Sequence, residues 1–410
     1  MNEELIPQLF RKEFSKMVAV ISKTFGLHYI ELAEDIVSET FLTATENWKQ
    51  KGIPPNPTAW LYAVAKQKAL SYFRRNKIYD EKILPHLKTT TEKINELPID
   101  FSIPNVSDSQ LQMMFAVCDP AIASEAQIAL ALRILCGFGI EEIAEAFLTN
   151  KETINKRLTR AKERLRTEKI KMEMPSEKEM VSRLDNVLHI IYLLFNEGYY
   201  SSTQNKTLKK DLCFEALHLG ILLTESRKTN LPKTNALVAL LCFHSSRLEA
   251  RQNEKDEIIL YDEQDETLWD TDLIQKGEYF LDQSAKGNEL SSYHLEAGIA
   301  YWHCRKEDTP EKWGNILQHY NLLLQINYSP SVALNRTYAL YKARGKEIAI
   351  AEAEKLQLNN SRFYHVLLGE LFSGKNNKEA IKHFTTALAL SKTDNEKKVI
   401  AKKMAGLNED

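Results

Sequence analysis

GFGIEEIAEAFLTNKETINKRLTRAKERLR, residues 137–166, decides how the chain is read. Ile140, Ile143, Ala144 and Phe147 share one helical face at 3.6-residue spacing. The turn Leu148-Thr149-Asn150 follows, and Thr149 with Glu152 fits a capping box opening a second helix. There Ile154, Leu158, Ala161 and Leu165 recur at i, i+4, i+7 and i+11 and face inward. Lys151, Thr153, Asn155, Lys156, Arg157 and Arg160 are left outward on the N-terminal half. Two helices joined by a tight turn, the second one basic, make a helix-turn-helix that can enter a major groove. The residue types suit base edges: Arg and Lys reach guanine acceptors, Asn pairs with adenine, and a Thr methyl packs on thymine. Nine basic and three acidic residues between Lys151 and Lys171 add to that reading. An ordinary helical hairpin with a solvated basic face has the same periodicity.

Upstream, residues 5–76 also read as helices. In AEDIVSETFLTATENW (residues 33–48), Val37, Phe41, Ala44 and Trp48 form one apolar face, and the break GIPPNP (52–57) ends the helix. A second helix runs from about Thr58 through WLYAVAKQKALSYFRRN. It carries Lys66, Lys68, Arg74, Arg75 and Lys77 with no acidic residue between Asn56 and Lys77, and Trp60, Tyr62, Tyr72 and Phe73 are interleaved. Positive charge along a backbone with aromatic platforms is how single strands are held. Core aromatics beside solvated lysines are the equal alternative. The acids Glu34, Asp35, Glu39 and Glu46 lie beside Phe41 and Leu42, both read as exposed. They form either a solvated face or a partner surface.

Residues 77–107 lose apolar periodicity and contain Pro85, Pro98 and Pro104, which predicts a mobile linker. A helical block then starts near Ser107, where Ser107 and Gln110 fit a capping box, and runs to about Lys171. Met174-Pro-Ser marks a boundary, after which helix follows helix to the end. LLGELFSGKNNKEAIKHFTTAL (367–388) puts Gly369 and Ala380 where two antiparallel helices approach closely, as in stacked hairpins.

Composition sets limits on these readings. At 410 residues two or three domains are expected, and 43% apolar with 27% charged residues is ordinary for a folded protein. Only 14 Gly and 12 Pro, without alternating β-branched runs, predict an all-α chain. A net charge of −2 argues against binding dominated by phosphate contacts, so DNA affinity must come from local clusters. Cys118, Cys136, Cys213, Cys242 and Cys304 are far apart, with no CxxC, and read as buried thiols of a reducing cytosol. The acidic run 262–270 lacks EF-hand spacing, and no metal or cofactor is expected. No GxxxxGK[ST], HExxH or GxSxG occurs, so no catalysis is expected. With no signal-peptide pattern and no membrane-length apolar run, the expected location is cytoplasmic.

The two upstream blocks resemble region two of extracytoplasmic-function sigma factors, and residues 137–166 resemble region four. The remainder is similar to the subgroup with a long C-terminal extension, through residues 111–135, LFNEGYYSS (194–202), ILYDEQDETLWD (259–270) and SPSVALNRTYAL (329–340). The final helical pair is similar to a tetratricopeptide repeat. Departures are Lys66, Gln67 and Ser71 where the family has an Arg-Asn pair and an Asp, and Asp119 where a His is common. The resemblance implies region two at 5–76, a linker at 77–107, a region-four helix-turn-helix at 108–172 and a helical regulatory domain at 176–410. It also implies that Asp35, Glu39, Phe41 and Leu42 dock on the β′ clamp helices of core RNA polymerase. Lys66, Lys68, Tyr72, Arg74 and Arg75 would read the −10 element of promoter DNA, and Lys151, Thr153, Asn155, Lys156, Arg157 and Arg160 the −35 element. A signalling protein or ligand at the C-terminal domain would complete the partners. A dimeric DNA-binding regulator, which does not require the first block, and a helical scaffold with residues 178–410 as its working part are the rival readings.

Overall fold

Helical periodicity along nearly the whole sequence has its counterpart in the computed structural model, which describes residues 2–75, 99–147, 149–200, 206–251, 259, 261–391 and 394–407. Among these residues every regular element is helical and no strand occurs. The chain is all-α. It divides into two compact units, Met1–Leu223 and Thr224–Asp410.

In the first unit α1 (Asn2–Phe25), α2 (Ile30–Lys51) and α3 (Pro57–Arg75) pack together around Phe14, Met17, Ile21, Val37, Ala44, Trp48, Leu61 and Ala65, all buried. Gly52, at φ 82°, ends α2, a left-handed conformation that favours glycine. Asn56 caps α3 by accepting the Ala59 N–H at 3.0 Å. The expected linker falls mostly on residues 76–98, outside the described residues. The next helix, α4 (Ile103–Val117), starts four residues before Ser107. Pro104 is not a linker residue: it sits in the first turn of α4, where a missing N–H costs nothing. α4 packs along α1, and Lys23 donates to Asn105 at 3.0 Å.

α5 (Ser124–Leu130) continues into a π-helical turn (Ala131–Leu135), and α6 (Ile140–Ala146) and α7 (Lys151–Thr167) follow. α8 (Glu177–Tyr199), begun by Ser176 after Pro175, packs on α4 and α5. Its Arg183 donates to the Phe115 carbonyl and pairs with Asp119, each at 2.7 Å. α9 (Lys206–Glu225) closes the unit, its Asp211 facing Arg11 at 3.5 Å. The compact units divide between residues 223 and 224, so α8, which follows the break at 174–176, packs with the first unit. Met174-Pro-Ser breaks a helix, but the helix after it packs backward.

The second unit begins with α10 (Pro232–Ser245), buried on all sides as an apolar helix at the centre of a unit must be. α11 (Thr271–Ser284) and α12 (Ser292–His303) pack on it. Asp265 and Asp270, in the acidic run, use their carboxylates as caps: Asp265 accepts the Thr267 N–H and Asp270 the Leu273 N–H, each at 2.9 Å. Then α13 (Pro310–Ile326), α14 (Pro330–Arg344), α15 (Lys346–Leu356), α16 (Arg362–Phe372), α17 (Asn377–Leu390) and α18 (Asp394–Ala405) stack serially. Each step has its own small core: Leu295, Trp313 and Leu340, then Leu334, Leu367 and Leu371, then Ala380, Phe384 and Ile400. Cores shared between adjacent hairpins are how stacked repeats are stabilised.

Candidate nucleic-acid interface

α6 opens where Glu142 accepts the Gly139 N–H at 2.6 Å, and it ends where Thr149 N–H bonds the Ala144 carbonyl at 2.9 Å. That bond commits Thr149 to closing α6. The cap of α7 is therefore Asn150, whose Oδ1 accepts the Thr153 N–H at 2.8 Å, and the expected box of Thr149 with Glu152 does not form. Ile154, Leu158, Ala161 and Leu165 are buried. Lys151, Asn155, Lys156 and Arg160 are exposed, with Thr153 and Arg157 half-buried between them. Arg157 pairs with Glu125 at 2.9 Å and lies over the Phe147 ring, and Lys151 pairs with Glu141. Asn155, Lys156 and Arg160 thus present hydrogen-bonding groups and charge on the open face of a capped, basic helix.

On α3, Lys66 and Lys68 are half-buried, Lys68 reaches Glu39 at 3.3 Å, and Tyr72 is exposed. The side chains of Phe73, Arg74 and Arg75, and all of Lys77, lie outside the described residues. Two of the interleaved aromatics pack inside the unit. Tyr62 donates to Glu13 at 2.6 Å and stacks on Phe101, and burial followed by that hydrogen bond pushes its hydroxyl pKa up. Trp60 meets Trp48 edge to face at 5.4 Å.

Along α2, Glu31, Asp35, Glu39, Leu42 and Glu46 form one exposed stripe. Partial burial, with Glu34 beside it, raises the pKa of the Asp35 carboxyl. Phe41, read as exposed, is a core residue at 5% exposure, its ring 5.0 Å from Phe10. Leu42, 65% exposed, is the apolar member of the stripe.

Sequence reasoning missed a contact between α2 and α7. Glu34, 4% exposed, accepts from Arg133 Nε at 2.7 Å and from Lys162 Nζ at 2.6 Å. One turn further, Arg166 pairs with Glu31 at 2.5 Å. The only local sign was the spacing, with Lys162 and Arg166 four apart and Glu31 and Glu34 three apart. Nothing in either segment names the other.

α1 from residue 10, α2 and α3 fall within a match of residues 10–78 to Sigma-70 region 2. Residues 183–285 match a family of unknown function (DUF6596). A protein of Rhizobium meliloti (strain 1021), named as uncharacterized, is 34% identical over 370 residues, covering 88% of this chain and 86% of its own length. The chain belongs to the sigma factors of RNA polymerase. Region 2 implies that this sigma factor binds core polymerase and promoter DNA. The second match begins in α8 and ends past α11, within the long C-terminal extension of the sigma factor. No solved structure matches this sigma factor. No helix among the described residues is long and apolar enough to cross a membrane.

Proposed function

We propose that this sigma factor is of the extracytoplasmic-function type and directs promoter-specific initiation. The observation that carries the reading is the α6–α7 pair downstream of region 2. It is a helix-turn-helix whose second helix is capped by Asn150 and turns Asn155, Lys156 and Arg160 outward. In this reading Lys151, Thr153, Asn155, Lys156, Arg157 and Arg160 contact the −35 element, and Lys66, Lys68, Tyr72, Arg74 and Arg75 of α3 contact the −10 element. The exposed stripe of Asp35, Glu39 and Leu42 docks on the β′ clamp helices, with Phe41 supporting it from the core. Through residue 171 the chain has 24 basic and 22 acidic residues, so each DNA contact alone is weak and salt-sensitive. Holding both modules on polymerase makes the second contact intramolecular, a gain of roughly 10²-fold or more. The C-terminal unit, with its serial hairpins of tetratricopeptide-like form, controls this activity in cis through a signalling protein or ligand.

The test is run-off transcription with bacterial core polymerase and a promoter library. It compares the full chain with one ending at Glu225, which keeps α8 and α9 with the unit they pack in. Specific transcripts that need core polymerase and vanish with Arg160→Ala support the reading, and a change in their yield on truncation gives the sign of control. Duplex binding by a dimer without polymerase would replace it with a conventional regulator.

A further inference from the structure

The ion pairs between α2 and α7 join the element proposed to dock on polymerase to the element proposed to read DNA. Glu34 is buried and its two oxygens are divided between Arg133 and Lys162, whose side chains are themselves mostly covered. Arg133 also donates to the Phe138 carbonyl at 3.1 Å and lies over the Phe14 ring, so it ties α2, α1 and the segment leading into α6. The short turn Leu27–Tyr29 before α2 packs against α7, and α1 packs on the π-helical turn before α6. Region 2 and the α6–α7 pair are closed on each other within one compact unit.

We propose that the C-terminal turns of α7 are a latch: Lys162 and Arg166, with Arg133, occupy the acidic N-terminal half of α2 and exclude polymerase from it. This rests on the reading of α2 as the docking helix. Glu31 and Asp35 are one helical turn apart, about 6 Å. A stable protein interface covers about 800 Å² per partner, roughly 25–30 Å across. A partner docked on Asp35 and Glu39 would therefore overlap the surface that α7 covers. Basic side chains on acidic ones also match the charge such a partner must bring. Opening exposes Glu34, Arg133 and Lys162 to water, and a docking surface with its own cations can take over the carboxylates. The free sigma factor is then closed, and core polymerase selects the open form.

The test uses the full chain with Cys304→Ser and dyes on cysteines placed at the exposed positions Gln50 on α2 and Glu163 on α7. Energy transfer is read in the free protein and with core polymerase, alongside core affinity. Lys162→Glu with Arg166→Glu should lower transfer in the free protein and tighten core binding about tenfold, since a partner gains what closure no longer opposes. The parent should lose transfer when core binds. Should the double variant fold poorly by circular dichroism, the exposed pair suffices: Arg166→Glu lowers transfer and adding Glu31→Arg restores it. Unchanged transfer in the variants, or high transfer persisting on polymerase, alongside normal core binding, overturns the latch alone. Lost transfer in the variant with no core binding by any form overturns the competition together with the functional reading.

Discussion

Phe41 and Leu42 are neighbours on α2, yet one meets Phe10 in the core and the other meets solvent. Adjacent helical residues are 100° apart, so only one of them can belong to an exposed stripe. On the proposed docking surface the two should fail differently. Leu42→Asp is expected to weaken core-polymerase binding tenfold or more and leave the melting temperature unchanged, as polar substitutions on the surface usually do. Phe41→Ala is expected to cost about 3–5 kcal/mol of stability, the range for a buried aromatic. Binding titrations and thermal unfolding of the two variants separate the roles. A stability loss at Leu42 equal to that at Phe41 would contradict the assignment. Which of the pair faced out was decidable from periodicity, because Val37, Phe41, Ala44 and Trp48 already fill one face.

Among elements, the α16–α17 hairpin shows how far small residues can be read. Gly369 and Ala380 were expected at a close approach, and a Cβ at Gly369 would stand 2.6 Å from the Phe384 ring. Gly369→Ala is therefore expected to cost about 1–3 kcal/mol, because Phe384 is fully buried and has little room to move. Urea unfolding measures it, and a change within error would mean the ring shifts freely. Helix starts were harder to place. Pro104 and Thr149 both looked like the right residue for another role, and each was overruled by a neighbour. Ser102 begins α4 early enough to take Pro104 into its first turn. The backbone bond from Thr149 to Ala144 hands the cap to Asn150.

At the scale of the molecule, the second unit holds two half-buried histidines, His244 and His303, whose surroundings disfavour the charged ring. Burial, with Arg247 nearby, pushes His244 down to about 3, and burial with Arg247 and Lys312 does the same to His303. A depressed histidine keeps the folded state from binding a proton that the unfolded state takes up below about pH 6.5. The stability these sites permit is complete above that pH and falls as pH drops towards 3. Thermal unfolding at pH 7.5, 6.5 and 5.5 should give a falling midpoint, and His303→Phe should flatten the slope. A slope indifferent to His303 would show that this ring stays solvated. This unit was read as helix after helix, and it is; its start at residue 224 was not foreseen.

Local pattern alone determined that the regular elements among the described residues are helices, that α7 buries Ile154, Leu158, Ala161 and Leu165, and that its opposite face is basic. Each follows from spacing within a dozen residues, where a 3.6-residue period and side-chain chemistry suffice. Tertiary structure alone decided that α8 and α9 belong with the first unit, that Tyr62 serves Glu13, and that Glu34 is held by Arg133 and Lys162. Those partners lie 49 to 128 positions apart. An ion pair leaves no periodic trace at either end, so only the path of the chain shows which acid meets which base.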